Sequence, residues 1–407
     1  MNILFICNEY PPGKSGGIGS GTRVLARALV QAGHTVLVAG LYVPGYGEKD
    51  YEEDQGVKVW RRRSPLDIGL IRNDYSLPDT IMLKLLQLSG IRSWDARRNL
   101  LAFHSFLLEL IAKFKIDIIE WPDFNEYFPY LLQSFSWPSL PVPLIVKCNG
   151  TASYIARDMQ EKIDPTTLMN EKKHLDRADA LVAVSKYTAE SYVSLYDNHR
   201  PVDVLYNSID LPENIYRPAD STPTIVFTGT LTRRKGVYSL LKAWNIVHRH
   251  RPDALLRVFG KGKVHLFEPL LNAESRSSVV FEGFATRDQL FDAFSTAAAA
   301  IFPSYNEAFA NAPLEAMAVG CPVIYSTRAS GPELIAQGET GLMVDPDDIQ
   351  QIADSILMLL NDSGMRARFS MRGRETIEQR FDIRISVRDH ILYYEKQMSA
   401  FMRKANI

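Results

Sequence analysis

Phe302-Pro303-Ser304-Tyr305-Asn306-Glu307-Ala308-Phe309-Ala310-Asn311-Ala312-Pro313-Leu314-Glu315-Ala316-Met317-Ala318-Val319-Gly320-Cys321-Pro322-Val323-Ile324 reads as a strand end, a loop, a helix over 312–319 and the next strand. Short apolar runs alternating with helices of this length mark an α/β chain built on parallel strands. Upstream, Thr224-Ile225-Val226-Phe227, Leu255-Leu256-Arg257-Val258-Phe259 and Val279-Val280-Phe281 repeat the pattern, with helices expected at 237–250 and 287–296; downstream another is expected at 348–361. Residues 206–223 are turn-rich and poor in apolar residues, as a linker is. Before them the alternation runs again. Strands are expected at 3–7, 35–39, 117–120, 144–147 and 180–184, with helices near 22–31, 97–115 and 166–177. The division is therefore 1–205 as one doubly wound domain, 206–223 as linker and 224–385 as a second. A tail helix, 386–403, carries Ile391, Leu392, Tyr394, Met398 and Phe401 on one stripe and is assigned to the first domain.

A chain of 407 residues with 46% hydrophobic content suits two cores. Lys plus Arg (46) balances Asp plus Glu (47), so no net field draws it to nucleic acid. The three cysteines, Cys7, Cys148 and Cys321, lie in or beside apolar runs, which suits reduced thiols and a cytoplasmic setting. No apolar run reaches the roughly 18 residues of a membrane span.

Two glycine-rich loops connect a strand to a helix, where backbone N–H groups can receive an anion. Gly13-Lys14-Ser15-Gly16-Gly17-Ile18-Gly19-Ser20-Gly21 matches neither the dinucleotide nor the P-loop spacing, and a turn requiring positive φ is its plainer reading. Phe227-Thr228-Gly229-Thr230-Leu231-Thr232-Arg233-Arg234-Lys235-Gly236 adds three cations, which together can grip a diphosphate; a solvated basic loop is the alternative. Glu307 precedes a helix and Glu315 lies within it beside Leu314, Met317 and Ala318, so an acid at that edge calls for a partner such as paired sugar hydroxyls. Either glutamate alone also fits a cap or surface role. Asp345-Pro346-Asp347-Asp348 reads as a turn and N-cap, His104 as a core-edge residue, and the eight histidines show no metal-ligand spacing.

With the Gly16-Gly17 loop, Ser185-Lys186-Tyr187-Thr188, Tyr206-Asn207-Ser208-Ile209-Asp210, Gly229 through Lys235-Gly236, Gly283-Phe284, the Glu307 and Glu315 pair and Gly338 to Val344, the chain resembles the retaining GT-B glycosyltransferases of family 4 over nearly its whole length. The resemblance implies two Rossmann-like domains facing a central cleft. It also implies a metal-independent transfer of a hexose from a nucleotide diphosphate sugar, UDP-hexose by preference, with no cofactor. In that scheme Glu315 holds ribose hydroxyls, Glu307 contacts the donor sugar and Lys235 the diphosphate. Gly16, Gly17, Gly229, Thr230, Leu314 and the backbone of Phe309, Ala310 and Asn311 line the donor, with Phe284 near the base. Departures are Thr230, where the family commonly has Arg, so that Arg233 or Arg234 must supply the charge, and Glu120, Pro122 and Asn149 where histidines are usual. Glu120, Asp123 and Asn149 are candidates to orient the acceptor, with turn capping as the alternative for each.

The acceptor expected is a hydroxyl of a glycan or lipid-linked glycan in polysaccharide synthesis. An epimerase or hydrolase of UDP-sugars, or a sugar-nucleotide binder without turnover, is the alternative. Residues 57–115 hold eleven Lys or Arg against five acids, interleaved with Leu83, Leu85, Leu86, Leu88, Ile91 and Trp94. That segment is either a solvated helix face or a peripheral contact with an anionic membrane at its inner, cytoplasmic face. Lys235, in a loop beside Gly236, is expected to be replaceable at a cost below about 1 kcal/mol in stability.

Overall fold

A computed structural model describes residues 1–12, 16–42, 49–63, 85–86, 88–212 and 223–405. Gly13, Lys14 and Ser15, part of the 206–223 segment, and much of 64–87 including Arg72, Leu83 and Lys84 lie outside them. The chain divides into two units. One comprises Met1–Val184, Thr188–Tyr206 and Ser386–Ile407, the other Ser185–Tyr187 and Asn207–Ile385.

In the first unit, the apolar residues Ile3 to Ile6 of β1 (Asn2–Ile6) are buried, as in a central parallel strand. Helix α1 (Gly17–Gln31) leads to β2 (Thr35–Tyr42), which pairs in parallel with β1. Next comes a hairpin that the sequence reading did not foresee: β3 (Tyr51–Asp54) and β4 (Val57–Arg63), antiparallel, turn through Gln55 (φ 50) and Gly56 (φ 86). Two consecutive positive φ values match the twist of a two-residue hairpin, and Gly56 accepts one without strain. Residues 57–63 are therefore a strand and not a helix face. Its Val57, Val59 and Arg61 point inward, and Arg61 ion-pairs with Glu52 and lies over the Tyr42 ring at 5.4 Å. The sheet continues through α2 (Ile91–Phe114), β5 (Ile118–Pro122), β6 (Leu144–Cys148), α3 (Ala152–Asp158), α4 (Pro165–Asp176), β7 (Ala180–Ala183), α5 (Lys186–Tyr196) and β8 (Val202–Val204). Its strand order is β3-β4-β2-β1-β5-β6-β7-β8, and the chain reverses direction between β1 and β5.

The second unit contains β9 (Thr224–Thr228), α6 (Val237–His250), β10 (Leu255–Phe259), β11 (Val279–Gly283), α7 (Arg287–Thr296), β12 (Ala299–Phe302), α8 (Asn311–Val319), β13 (Val323–Ser326), α9 (Gly331–Leu334), β14 (Leu342–Val344), α10 (Ile349–Asn361) and α11 (Ser363–Arg380). Its order, β11-β10-β9-β12-β13-β14, is wholly parallel. Ile225, Phe227, Leu240, Trp244, Val258, Ile301, Ile324, Ile352 and Ile356 fill its core. Trp244 spends its one donor on Ser278 Oγ at 2.9 Å, so the indole is buried without an orphan N–H. Asp348 caps α10 by accepting from Gln351 N at 2.9 Å, the cap role expected of the acidic turn. Helix α12 (Ile383–Ala405) ends the chain.

Candidate functional site

In the second sheet the chain leaves β9 toward β10 and β12 toward β13, in opposite directions, and these two strands are neighbours. Loops at the carboxyl ends of two such strands diverge and leave a crevice, the usual ligand position in open α/β sheets. The loop after β9 carries Gly229 to Gly236; the loop after β12 carries Pro303 to Ala310. They are laced tightly. Tyr305 N donates to Arg234 O at 2.8 Å, and a Cβ on Gly236 would stand 1.9 Å from Pro303 O. Gly236 also has φ +73, so torsion and space both select glycine there. The loop after β10 joins them: Gly229 N donates to Phe259 O and Leu231 N to Lys261 O.

That lacing brings Lys235 onto Glu307. The Lys235 ammonium donates to Glu307 Oε1, and Arg234 Nη1 stands 3.9 Å from Oε2. Burial pushes the Glu307 carboxyl up, but Lys235 and Arg234 outweigh it and hold it below the ordinary carboxylate range. Ser330 Oγ, fully buried, donates to Glu307 O at 3.2 Å and fixes the backbone beneath. Of the two arginines proposed to replace the charge missing at Thr230, Arg234 is the one beside the carboxylate; Arg233 and Thr230 are exposed.

Helix α8 starts at Asn311 behind Ala310, with no side chain capping it. Asn207 Nδ2 donates to Phe309 O at 3.0 Å and to Asn311 Oδ1 at 3.3 Å, and the Phe309 ring packs on Phe381 at 5.4 Å. Leu314 is buried, while Glu315, next to it on the helix, is half-buried with Arg287 Nε 3.7 Å away. Burial raises the Glu315 carboxyl to about 7, Arg287 acting in the other direction. Phe284 is 66% exposed, with Lys261 over its ring at 4.8 Å. Arg287 and Ser330 went unnoticed in the sequence. Nothing in the spacing tells that an arginine at the start of α7 faces an acid on the helix after the next strand.

In the first unit, α1 begins at Gly17, inside the glycine loop rather than at residue 22. Gly16 has φ −116, so no positive φ selects glycine there, and it is at Gly19, against backbone, that space does. A Cβ on Gly16 would stand 2.6 Å from Glu9 Oε2, and one on Gly19 1.9 Å from Glu9 O. Gly19 N donates to Glu9 Oε1 at 2.8 Å. A resident carboxylate thus occupies the N-terminus of α1 where the sequence suggested a phosphate.

The acceptor-side candidates are also corrected. Glu120 is buried in β5, accepts from the Tyr394 hydroxyl at 2.6 Å and stands 3.5 Å from Lys147 Nζ. Asp123 is buried and accepts from Asn149 N at 3.0 Å, Gly150 N at 3.1 Å and the Tyr192 hydroxyl. Burial pushes its carboxyl up to about 6 against those hydrogen bonds. Both acids spend their oxygens holding the fold: Asp123 caps the turn after β6 through the Asn149 and Gly150 N–H groups, whereas Glu120 caps no turn and ties β5 to Tyr394 and Lys147. Asn149 donates its side-chain N–H to Lys147 O at 2.9 Å and is partly exposed.

A crevice at the switch point bearing paired cations, a carboxylate and an uncapped helix start is suited to an anionic ligand, and comparison with known proteins gives the family. Residues 15–213 match the model of Glycosyltransferase Family 4 and residues 212–376 that of the glycosyl transferases group 1. The chain belongs to these glycosyltransferases. It is 26% identical over 399 residues to an uncharacterized glycosyltransferase of Methanocaldococcus jannaschii, covering 94% of each chain. It is 24% identical over 405 residues to a glycogen synthase of Mycobacterium tuberculosis, covering 94% of this chain and 91% of the relative. Among solved structures, a sucrose-phosphate synthase from Thermosynechococcus elongatus superposes with a TM-score of 0.78 at 21% identity, over 98% and 99% of the two chains. Anabaena HepE, solved with UDP and glucose, does so at 0.70 and 16%, over 97% and 100%. Both likenesses establish the fold, which is GT-B. In this glycosyltransferase the geometry unites Gly229, Arg234, Lys235 and Glu307 in one cluster. Glu315 belongs to the same helix that opens beside it.

Proposed function

We propose that this glycosyltransferase transfers a hexose from a nucleotide diphosphate sugar, UDP-glucose or a related UDP-hexose, to a hydroxyl of a glycan or lipid-linked glycan, with retention at the anomeric carbon. The observation that carries the reading is the Lys235–Glu307–Arg234 cluster at the carboxyl ends of β9 and β12. Lys235 offers three N–H donors, of which Glu307 takes one; the others can meet diphosphate oxygens. As the anomeric carbon–oxygen bond breaks, negative charge gathers on the leaving diphosphate. Cations already in place stabilise that charge without reorganisation. The acceptor oxygen bonds the same face of the carbon, and its proton passes to the departing phosphate oxygen. Glu307 positions the sugar, and Glu315 accepts from the ribose hydroxyls.

A thermal-shift screen over UDP-, GDP- and ADP-sugars tests the donor. A ligand at a hundredfold excess over Kd stabilises the folded state by about 2.7 kcal/mol, so the true donor separates clearly from the rest. Stabilisation by no sugar nucleotide sinks the reading. The NMR anomeric coupling of the first product tests retention, and an inverted centre overturns that part alone.

A further inference from the structure

We propose that the exposed face of α2 in the first unit docks on an anionic lipid bilayer. Trp94, Leu101 and Leu108 recur every seven residues along one side of this 24-residue helix and all are exposed, Trp94 to 58% and Leu101 to 48%. Ile91 and, just ahead of the helix, Leu85 and Leu88 continue the stripe; Leu88 is 76% exposed. Leu132, also exposed, is held against the helix start by its N–H donating to Ser93 Oγ at 3.0 Å. Single exposed leucines are ordinary, but a contiguous apolar stripe on a soluble surface marks a contact site.

Cations rim the stripe and are held there by aromatic rings. Arg97, at the edge of the stripe, lies over Phe135 at 5.6 Å. Elsewhere along α2, Arg62 lies over Phe106 at 5.7 Å, and Lys113 over Phe114 at 5.3 Å and Trp60 at 5.4 Å. Arg98 sits within the stripe over Trp94 at 5.5 Å. Two acids belong to the helix, Glu109, which is exposed, and Asp95, which accepts from Asn99. An apolar stripe bordered by cations with long aliphatic stems is the complement of a bilayer interface. The rings enter the acyl boundary while the charges remain at the phosphates. The protein's formal net charge is −1, so this basic rim is local and bulk charge does not explain it. Among the described residues no helix is long and apolar enough to cross a membrane, and the contact is therefore on the surface.

Co-sedimentation of the full chain with phosphatidylcholine vesicles, and with mixed phosphatidylcholine–phosphatidylglycerol vesicles, tests it. Binding to the mixed vesicles is expected to be at least about tenfold tighter, and to weaken with salt. Leu101→Glu/Leu108→Glu should abolish it, and Arg97→Glu/Arg98→Glu should lower it about tenfold or more, with thermal midpoints unchanged. Equal binding to both vesicle types, no binding to either, or full binding by the Leu101→Glu/Leu108→Glu protein overturns the proposal. A dimer in light scattering that those two substitutions dissolve also overturns it, because the face would then belong to a second copy.

Discussion

Besides the phosphate role proposed for it, Lys235 has a structural role in its ion pair with Glu307. Read in sequence it is an exposed loop lysine, but its ammonium donates to a buried carboxylate, and its removal leaves Glu307 with Arg234 at 3.9 Å as the nearby cation and a hydrogen bond from the Ser304 side chain. Lys235→Ala is therefore expected to cost about 2 kcal/mol in stability, less than a fully buried pair because both cations are partly open to solvent. Transfer should fall about 10²–10³-fold, as when one contact to developing charge is lost. Adding Glu307→Gln should recover stability in chemical denaturation but not activity, and single-turnover transfer within about threefold of the parent sinks the assignment. Glu315 supplies a pH dependence. Its carboxyl is raised to about 7, so it is largely neutral below that pH and a charged acceptor above it. Affinity for the nucleoside diphosphate, measured by calorimetry, should rise up to about tenfold more between pH 6 and 8 in the parent than in Glu315→Gln. The positions of these residues, at a loop and a helix after parallel strands, were legible because they sit in a dense motif of glycines and helix starts. The roles of Glu120 and Asp123 were not, because Tyr394 and Tyr192, the partners that occupy them, lie 274 and 69 residues away in the chain.

Elements were legible where burial follows a strong period. Val237–His250 and Arg287–Thr296 match the expected helices residue for residue, the first with a broad buried face and the second with a capping box at Thr286 and Gln289. Helix α11 escaped notice because it buries only Phe369, Gly373 and Ile377 among charged residues, too narrow a stripe to register as a period. The β3–β4 hairpin escaped for another reason. Arg61 fills an inward position that alternation reserves for an apolar residue, and its ion pair with Glu52 makes that tolerable. Elements also bear on metal use. The loop after β9 delivers Arg234 and Lys235 to one place, and α8 opens beside it without a side-chain cap, so the charge of a diphosphate can be met by protein alone. Transfer is expected to persist in EDTA at the rate seen with added Mg²⁺. Complete loss on chelation that Mg²⁺ restores would show that the loop is insufficient.

At the scale of the whole molecule, the last helix binds the first unit to its own chain end. Glu120 in β5 and Lys147 in β6 face Tyr394 and His390 of α12, so residues more than 240 apart share one buried polar cluster. His390 Nδ1 donates to Ser386 O at 2.7 Å, which leaves Nε2 to accept from Lys147 Nζ at 3.4 Å and makes the ring neutral. Burial, reinforced by the Lys147 ammonium and opposed by Glu120 and Asp389, lowers the imidazole to about 4. An unfolded histidine titrates near 6.5, so the unfolded chain takes up a proton that the folded one refuses between those values. The contribution is whole above pH 6.5 and is lost progressively as pH falls toward 4, to a total of about 3 kcal/mol. Asp123, raised to about 6, and Glu315, raised to about 7, act with the opposite sign, favouring the folded state at low pH. The net pH profile therefore hides the histidine, and a variant has to isolate it. His390→Phe keeps the ring's bulk and cannot be protonated. Its stability relative to the parent, from urea unfolding, should be lower at pH 7, where Lys147 has lost an acceptor, and should recover by about 3 kcal/mol as pH falls to 4. If the two proteins lose or gain stability in parallel across that range, His390 titrates normally and the cluster under α12 is not closed to water.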